Sequence, residues 1–274
     1  MAGIELRRIS HAFGTLRVLD DLSLTVVPGQ FVSIVGPSGC GKSTLLSILG
    51  GLLAPAAGEA LVEGQTAIGR PGLVAYMPQK DLLFPWRRVL ANATLGAEVS
   101  GVGQREAAIR ARALIPRFGL AGFERSWPSQ LSGGMRQRLA LLRTFLIPSR
   151  TMLLDEPFGA LDAITRREMH SWLQEVLAEP PAAGRQPFAP RGDSGDPPHS
   201  SLLAPPSSRT VLFVTHDVEE ALVLSDTVCV MSPRPGRMVA RVAVPFARPR
   251  APGIVVTPAF VALKAQLLTA LEEA

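Results

Sequence analysis

Apolar residues recur along this chain in two periods, and the change of period marks its parts. Residues 4–9, 22–27 and 59–63 alternate or run apolar between turn residues, which predicts strands of an antiparallel layer. Gln30–Val35 is a short β-branched apolar run ending at Gly36, the pattern of a buried strand. Ser43–Leu52 then places Leu45, Leu46, Ile48 and Leu49 on one helical face. From about Pro85 to Leu146 helical patterns dominate, with helices predicted at Ala107–Phe118 and Gly134–Ile147. Thr151–Leu154 and Thr210–Val214 read as buried strands of the parallel type. Between them Met169, Trp172, Leu173, Val176 and Leu177 follow i, i+3, i+4, i+7, i+8 spacing, one buried helix face. A last amphipathic helix carries Phe260, Leu263, Leu267, Leu268 and Leu271, packed on its own domain or on a partner.

Residues 180–208 break this order. Eight prolines with Gly and Ser leave too little apolar surface to order the segment, so it reads as a flexible insertion. It is either a tolerated surface excursion or a docking and regulatory segment.

Composition narrows the class. With 274 residues, 47% hydrophobic and 19% charged, the chain suits one large domain or a domain with a subdomain. A net charge of +5, with Lys and Arg scattered, offers no basic stripe for nucleic acid. No run of about 18 apolar residues exists to span a membrane, and the first residues lack a signal-peptide core. Two distant cysteines, Cys40 and Cys229, fit a reducing compartment without disulfides.

The chemistry sits in glycine-rich and acidic segments. Gly36-Pro37-Ser38-Gly39-Cys40-Gly41-Lys42-Ser43-Thr44 follows the buried strand and opens a helix, which is the context of a complete P-loop. Its glycines let backbone N–H groups converge on phosphate oxygens at a helix N-terminus. Lys42 would reach the β- and γ-phosphates, Ser43 would ligate Mg²⁺, and Thr44 would support the phosphates. Met152–Glu156 is an apolar strand ending in two carboxylates. Asp155 would hold Mg²⁺ through water, and Glu156 would polarise an attacking water. Alone, the pair reads equally as a helix-capping acid before Pro157. Leu131-Ser132-Gly133-Gly134-Met135-Arg136-Gln137 makes a second anion-binding helix start. One nucleotide seldom needs both from one chain, so a head-to-tail pair is expected. Each γ-phosphate would then lie between one copy's P-loop and the other's Ser132.

Together these segments resemble the nucleotide-binding subunit of ABC transporters over nearly the whole chain. The resemblance implies an α/β fold: a P-loop NTPase (RecA-like) core, an antiparallel β layer and an α-helical signature subdomain. The ATPase domain would occupy 1–245, its helical subdomain about 86–147, with a short helical tail at 246–274. Phe13, in His-Ala-Phe-Gly, matches the aromatic that stacks on adenine, its alternative being a strand core residue. Gln79 matches the Q-loop glutamine, which meets Mg²⁺ and the attacking water. Phe158-Gly-Ala-Leu-Asp162 matches the D-loop, which communicates across a dimer, and His216 matches the switch histidine at the γ-phosphate. Ser132, Gly133, Gly134, Gln137 and Asp162 are the residues implied to meet the nucleotide of the opposite copy. The insertion at 180–208 departs from the family pattern. It must loop out if His216 is to reach the phosphate.

Three segments are similar to importer subunits of the nitrate, sulfonate, taurine and thiamine-precursor branch: Asp81-Leu-Leu-Phe84-Pro85-Trp86-Arg, Pro157–Asp162, and Met231-Ser-Pro-Arg-Pro-Gly236-Arg. The short stretch after Val244 fits that branch rather than the sugar and polyamine importers. Phe84, Pro85 and Trp86 would face the permease's coupling helix, although Trp86 also suits packing between core and helical subdomain. The implied cofactors are ATP and Mg²⁺. The implied partners are a second ATPase subunit, transmembrane permeases and, indirectly, a solute-binding protein, with no nucleic acid. The implied location is the cytoplasmic face of the plasma (inner) membrane, held peripherally. The run at Asp81–Trp86 leans toward a pyrimidine-type thiamine precursor. A soluble ABC-type ATPase acting on DNA or ribosomes is the alternative. A P-loop kinase would have no use for Leu131–Gln137.

Overall fold

The computed structural model describes residues 2–178 and 209–274. The proposed insertion at 180–208 lies outside them. The chain divides into two compact units. The first comprises Met1–Gln79, Thr151–Pro157 and Arg209–Ala274, and the second runs through Lys80–Arg150 and resumes at Phe158.

The first unit is built on two sheets. β1 (Ile4–Phe13) and β2 (Leu16–Val26) form a hairpin, and β1 also pairs antiparallel with β4 (Ala57–Val62), which pairs β5 (Gln65–Thr66). Sequence alternation placed the second strand at 22–27. It begins at Leu16 because the hairpin stays paired through several register shifts that interrupt the alternation. The second sheet has the order β10-β9-β3-β8-β7-β6. Its strands β3 (Phe31–Val35), β6 (Ala75–Met77), β7 (Thr151–Asp155), β8 (Thr210–Val214) and β9 (Thr227–Met231) are parallel, and β10 (Met238–Ala243) is antiparallel to β9. β3, β7, β8 and β9 are buried along their whole lengths, which explains their unbroken apolar runs.

Helix α1 (Lys42–Leu49) buries the predicted face of Leu45, Leu46, Ile48 and Leu49, which joins Ile4, Leu6, Leu22 and Leu24 in one core. It stops three residues short of the predicted Leu52, because Gly50 and Gly51 follow and Gly51 turns left-handed at φ 73°. Helix α6 (Val218–Leu224) and the C-terminal α7 (Pro258–Glu272) form a second core on the other side of β9. Phe260 and Leu267 are fully buried there, so the C-terminal helix packs on its own unit.

The second unit is helical: α2 (Val89–Val99), α3 (Gln104–Leu114), α4 (Gly133–Phe145) and α5 (Ala163–Ala178). α3 ends at Leu114, before the predicted Phe118, since Pro116 has no backbone N–H to continue the helical ladder. Trp172 packs edge-on to Phe118 at 4.5 Å and against Phe145 at 5.1 Å, so the predicted α5 face is indeed buried.

Candidate nucleotide site

The loop between β3 and α1 is shaped by its glycines. Gly39 and Gly41 take φ of 78° and 109°, and a side chain at Gly41 would meet Leu19 at 2.7 Å. Lys42 is buried at 6% exposure, and its ammonium donates to the carbonyls of Gly36 (2.7 Å) and Pro37 (2.9 Å). The cation is thus held over the loop. The cleft above it, of about 430 Å³, is lined by Ser38, Gly39, Gly41, Lys42, Ser43, Thr44, Gln79 and Glu156. Phe13, Leu16, Val18 and Arg234 complete the lining. Phe13 ends β1 and is 53% exposed, which removes the reading of a core residue. Gly36 and Cys40 are buried beneath the loop, while Pro37 is exposed.

β7 delivers both acids. Asp155 is buried, and the Ser43 hydroxyl donates to it. Burial holds the Asp155 carboxyl above the usual range, the neighbouring Glu156 charge adds to this, and the Ser43 bond and Lys42 oppose it. Glu156, the next residue, sits at φ 47°, a left-handed conformation that a non-glycine residue seldom adopts. Its amide donates to the Val214 carbonyl at 2.9 Å. Its carboxylate accepts from the Gln79 amide at 3.3 Å and lies 3.5 Å from His216 Nδ1. β7 and β8 pair with Asp155 opposite Val214, so His216 arrives beside Glu156 two residues past the end of β8.

The second unit carries the other sequence-selected residues. Ser132 caps α4, its hydroxyl accepting from Met135 N at 3.2 Å, with Gly133 and Gly134 in the first turn. The Gln137 side chain is buried and accepts from Ala160 N at 2.7 Å, which joins the glycine-rich helix to the segment before Asp162. Asp162 caps α5 by accepting from the Thr165 amide and hydroxyl, and these bonds hold its carboxyl below the usual range. Phe84 and Trp86 pack with tilted rings at 5.1 Å, with Pro85 exposed and Trp86 70% exposed. Their loop is braced from both sides. Asn92 of α2 accepts from Phe84 N and donates to the carbonyls of Phe84 and Arg87, while Arg143 of α4 donates to those of Asp81 and Leu82.

Asn92, Arg143 and Arg234 were not singled out in the sequence. Asn92 and Arg143 left a signal, a polar residue within each helical apolar pattern. Arg234 stood inside the Met231–Arg237 segment noted for its likeness to importer subunits, but nothing local aimed it at the P-loop, since Gly39, whose carbonyl it binds, lies 195 residues away.

A model of the ABC transporter family matches residues 19–159. The chain belongs to the ABC transporter family. The aliphatic sulfonates import ATP-binding protein SsuB 1 of Rhodococcus jostii is 45% identical over 250 residues, 91% of this chain and 86% of that protein. The taurine import ATP-binding protein TauB of Yersinia pestis bv. Antiqua is 36% identical over 235 residues, 86% of this chain and 82% of its own. MJ0796, a bacterial ABC transporter cassette solved as a dimer, superposes with a TM-score of 0.72 at 24% identity, covering 89% of this chain and all of that one. That likeness bears on the fold, which is the α/β P-loop cassette of the family.

Proposed function

We propose that this protein is the ATP-hydrolysing subunit of an importer for small organic sulfonates, working as a pair beneath a membrane permease. The observation that carries the reading is the meeting of Gln79, Glu156 and His216 at the mouth of the P-loop cleft. A carboxylate, an amide and an imidazole at the phosphate end of such a cleft are the groups needed to orient and deprotonate a water. Phe13 offers an exposed ring for adenine, and Lys42 with the loop amides of Gly36–Thr44 offers the phosphate cradle. The imported solute is drawn from the relatives named for aliphatic sulfonates and taurine, which outweigh the lean toward a thiamine precursor.

Mg²⁺ fits the oxygens available. Ser43 and Asp155 provide a hydroxyl and a carboxylate already in contact, and no cluster of three metal-binding side chains exists among the described residues. A cation that takes one or two protein oxygens and completes its shell from phosphate and water suits such a pair. When bound it would neutralise charge on the phosphates and favour the ionised form of Asp155.

Pairing is inferred from two helix starts of phosphate-binding type in one chain, α1 after Gly41 and α4 after Ser132. Ser132, Gly133 and Gly134 would meet the nucleotide of the other copy, with Asp162 beside them. Gln137 would act there through Ala160, which it already holds. Exposed Pro85 and Trp86, with half-buried Phe84 beside them, form the surface offered to the permease. Among the described residues no helix is long and apolar enough to cross a membrane. Attachment at the cytoplasmic face would run through the Phe84–Trp86 surface. The solute-binding protein would be an indirect partner.

The test is Glu156→Gln, which keeps the side chain's size and removes its basicity. Steady-state ATP hydrolysis should fall at least about a hundredfold, in line with the loss of a general base, while ATP binding persists. Hydrolysis at the wild-type rate would refute the assignment.

A further inference from the structure

The turn between β9 and β10, Ser232–Arg237, lies far along the chain from the P-loop yet is fastened to it. Gly236 donates to the Val18 carbonyl at 2.8 Å and accepts from Asp20 N, so the turn is stitched to β2. A side chain at Gly236 would overlap the Met231 side chain and the Cys40 carbonyl, so only glycine lets the turn approach the P-loop this closely. Ser232 stiffens the turn from within, donating to the carbonyls of Pro233 and Pro235 and accepting from Arg237 N.

This rigid turn presents Arg234 to the cleft. Arg234 Nε donates to the Gly39 carbonyl at 3.0 Å, and the side chain lines the same cleft as Lys42, Ser43 and Phe13. A guanidinium carries five N–H donors, and this bond uses one. No carboxylate of the described residues lies within ion-pair distance of it. Its near neighbour Arg237, by contrast, is ion-paired with Asp20. An arginine oriented by one bond, unpaired in charge and set at the rim of a phosphate-binding loop has the geometry for anion recognition.

We propose that Arg234 is a second cationic contact for the polyphosphate chain of the nucleotide, acting with Lys42. The inference rests on the reading of the cleft as an ATP site. It assigns a binding role to a segment outside the phosphate loop itself, and it makes the turn between β9 and β10 part of the nucleotide site.

Calorimetric titration with ATP, ADP and inorganic pyrophosphate tests it. Arg234→Ala should weaken ATP and ADP about tenfold, as expected for a lost charge-assisted contact, and weaken pyrophosphate as a competitor of ATP in parallel. Arg234→Lys should recover part of the loss and Arg234→Gln none. The melting temperature should stay near the wild-type value, because the residue is exposed. Unchanged ATP affinity in Arg234→Ala would overturn the proposal. So would weakened ATP with intact pyrophosphate competition, or a loss in Arg234→Ala that Arg234→Gln fully restores, which would mark a mere brace. A wild-type protein that binds no ATP would instead defeat the reading on which the proposal stands.

Discussion

Asp20 is the residue on which the turn between β9 and β10 is moored. It is buried in β2, accepts from Arg237 Nε at 3.0 Å and is also paired with Arg17 at 2.7 Å. The Arg237 hydrogen bond, chiefly, holds its carboxyl below the usual carboxylate range. A carboxyl with a lowered value in the folded state stabilises fully above its unfolded value, about 4, and loses that contribution as pH falls through the lower folded value. Asp20→Asn should therefore melt at a lower temperature than wild type near pH 7, and the gap should close below about pH 4. Thermal melts from pH 7 to pH 3 check this, and a constant gap would show that charge is not what Asp20 contributes. The same mooring explains why Arg234's place at the P-loop was not legible in the sequence, although its segment was noted. Its place beside Gly39 depends on hydrogen bonds to Val18 and Asp20 in a strand some 200 residues earlier, and no local pattern encodes that pairing.

Among the elements, most of those with long or unbroken apolar runs were legible and the short ones were not, but β9, as fully buried as β3, was not predicted. β3, β7 and β8 announce themselves because burial on both faces leaves no polar interruption. The three residues of β6 and the two of β5 are too few to show a period, and β10 alternates on an edge where half its positions face solvent. α6 is seven residues long and declares itself mainly through its cap, Asp217, which accepts from the amides of Glu219 and Glu220. The face of α7 was legible, but not what it packs on. Phe260 stacks on Phe246 at 6.2 Å, and Arg250 reinforces the same tail by donating to the carbonyls of Leu222, Val223 and Phe246. Phe260→Ala should cost about 3–5 kcal/mol, the usual range for emptying a buried aromatic site. Urea unfolding measures it, and a cost below about 1 kcal/mol would mean that α7 is not integral to the first unit's core.

For the whole molecule, the proposed catalytic trio is assembled from three separate stretches of chain. Gln79 follows β6, Glu156 follows β7 and His216 follows β8, and these three strands are adjacent and parallel within one sheet. The motifs were legible singly. Their convergence depends on strand order, which hydrophobic periodicity does not specify. If the molecule works as a pair, Glu156→Gln with ATP should sediment at twice the monomer mass while wild type turning over ATP does not. A monomer under both conditions would count against pairing. The left-handed backbone at Glu156 has a further consequence for how this protein can change. A non-glycine residue there costs on the order of 1–3 kcal/mol, so Glu156→Gly should stabilise the fold by about 1 kcal/mol, read as a raised melting temperature, while abolishing hydrolysis. A laboratory lineage selected for heat resistance alone would then drift toward glycine at this position and lose its activity by becoming sturdier. Only continued demand for transport would keep the glutamate in place.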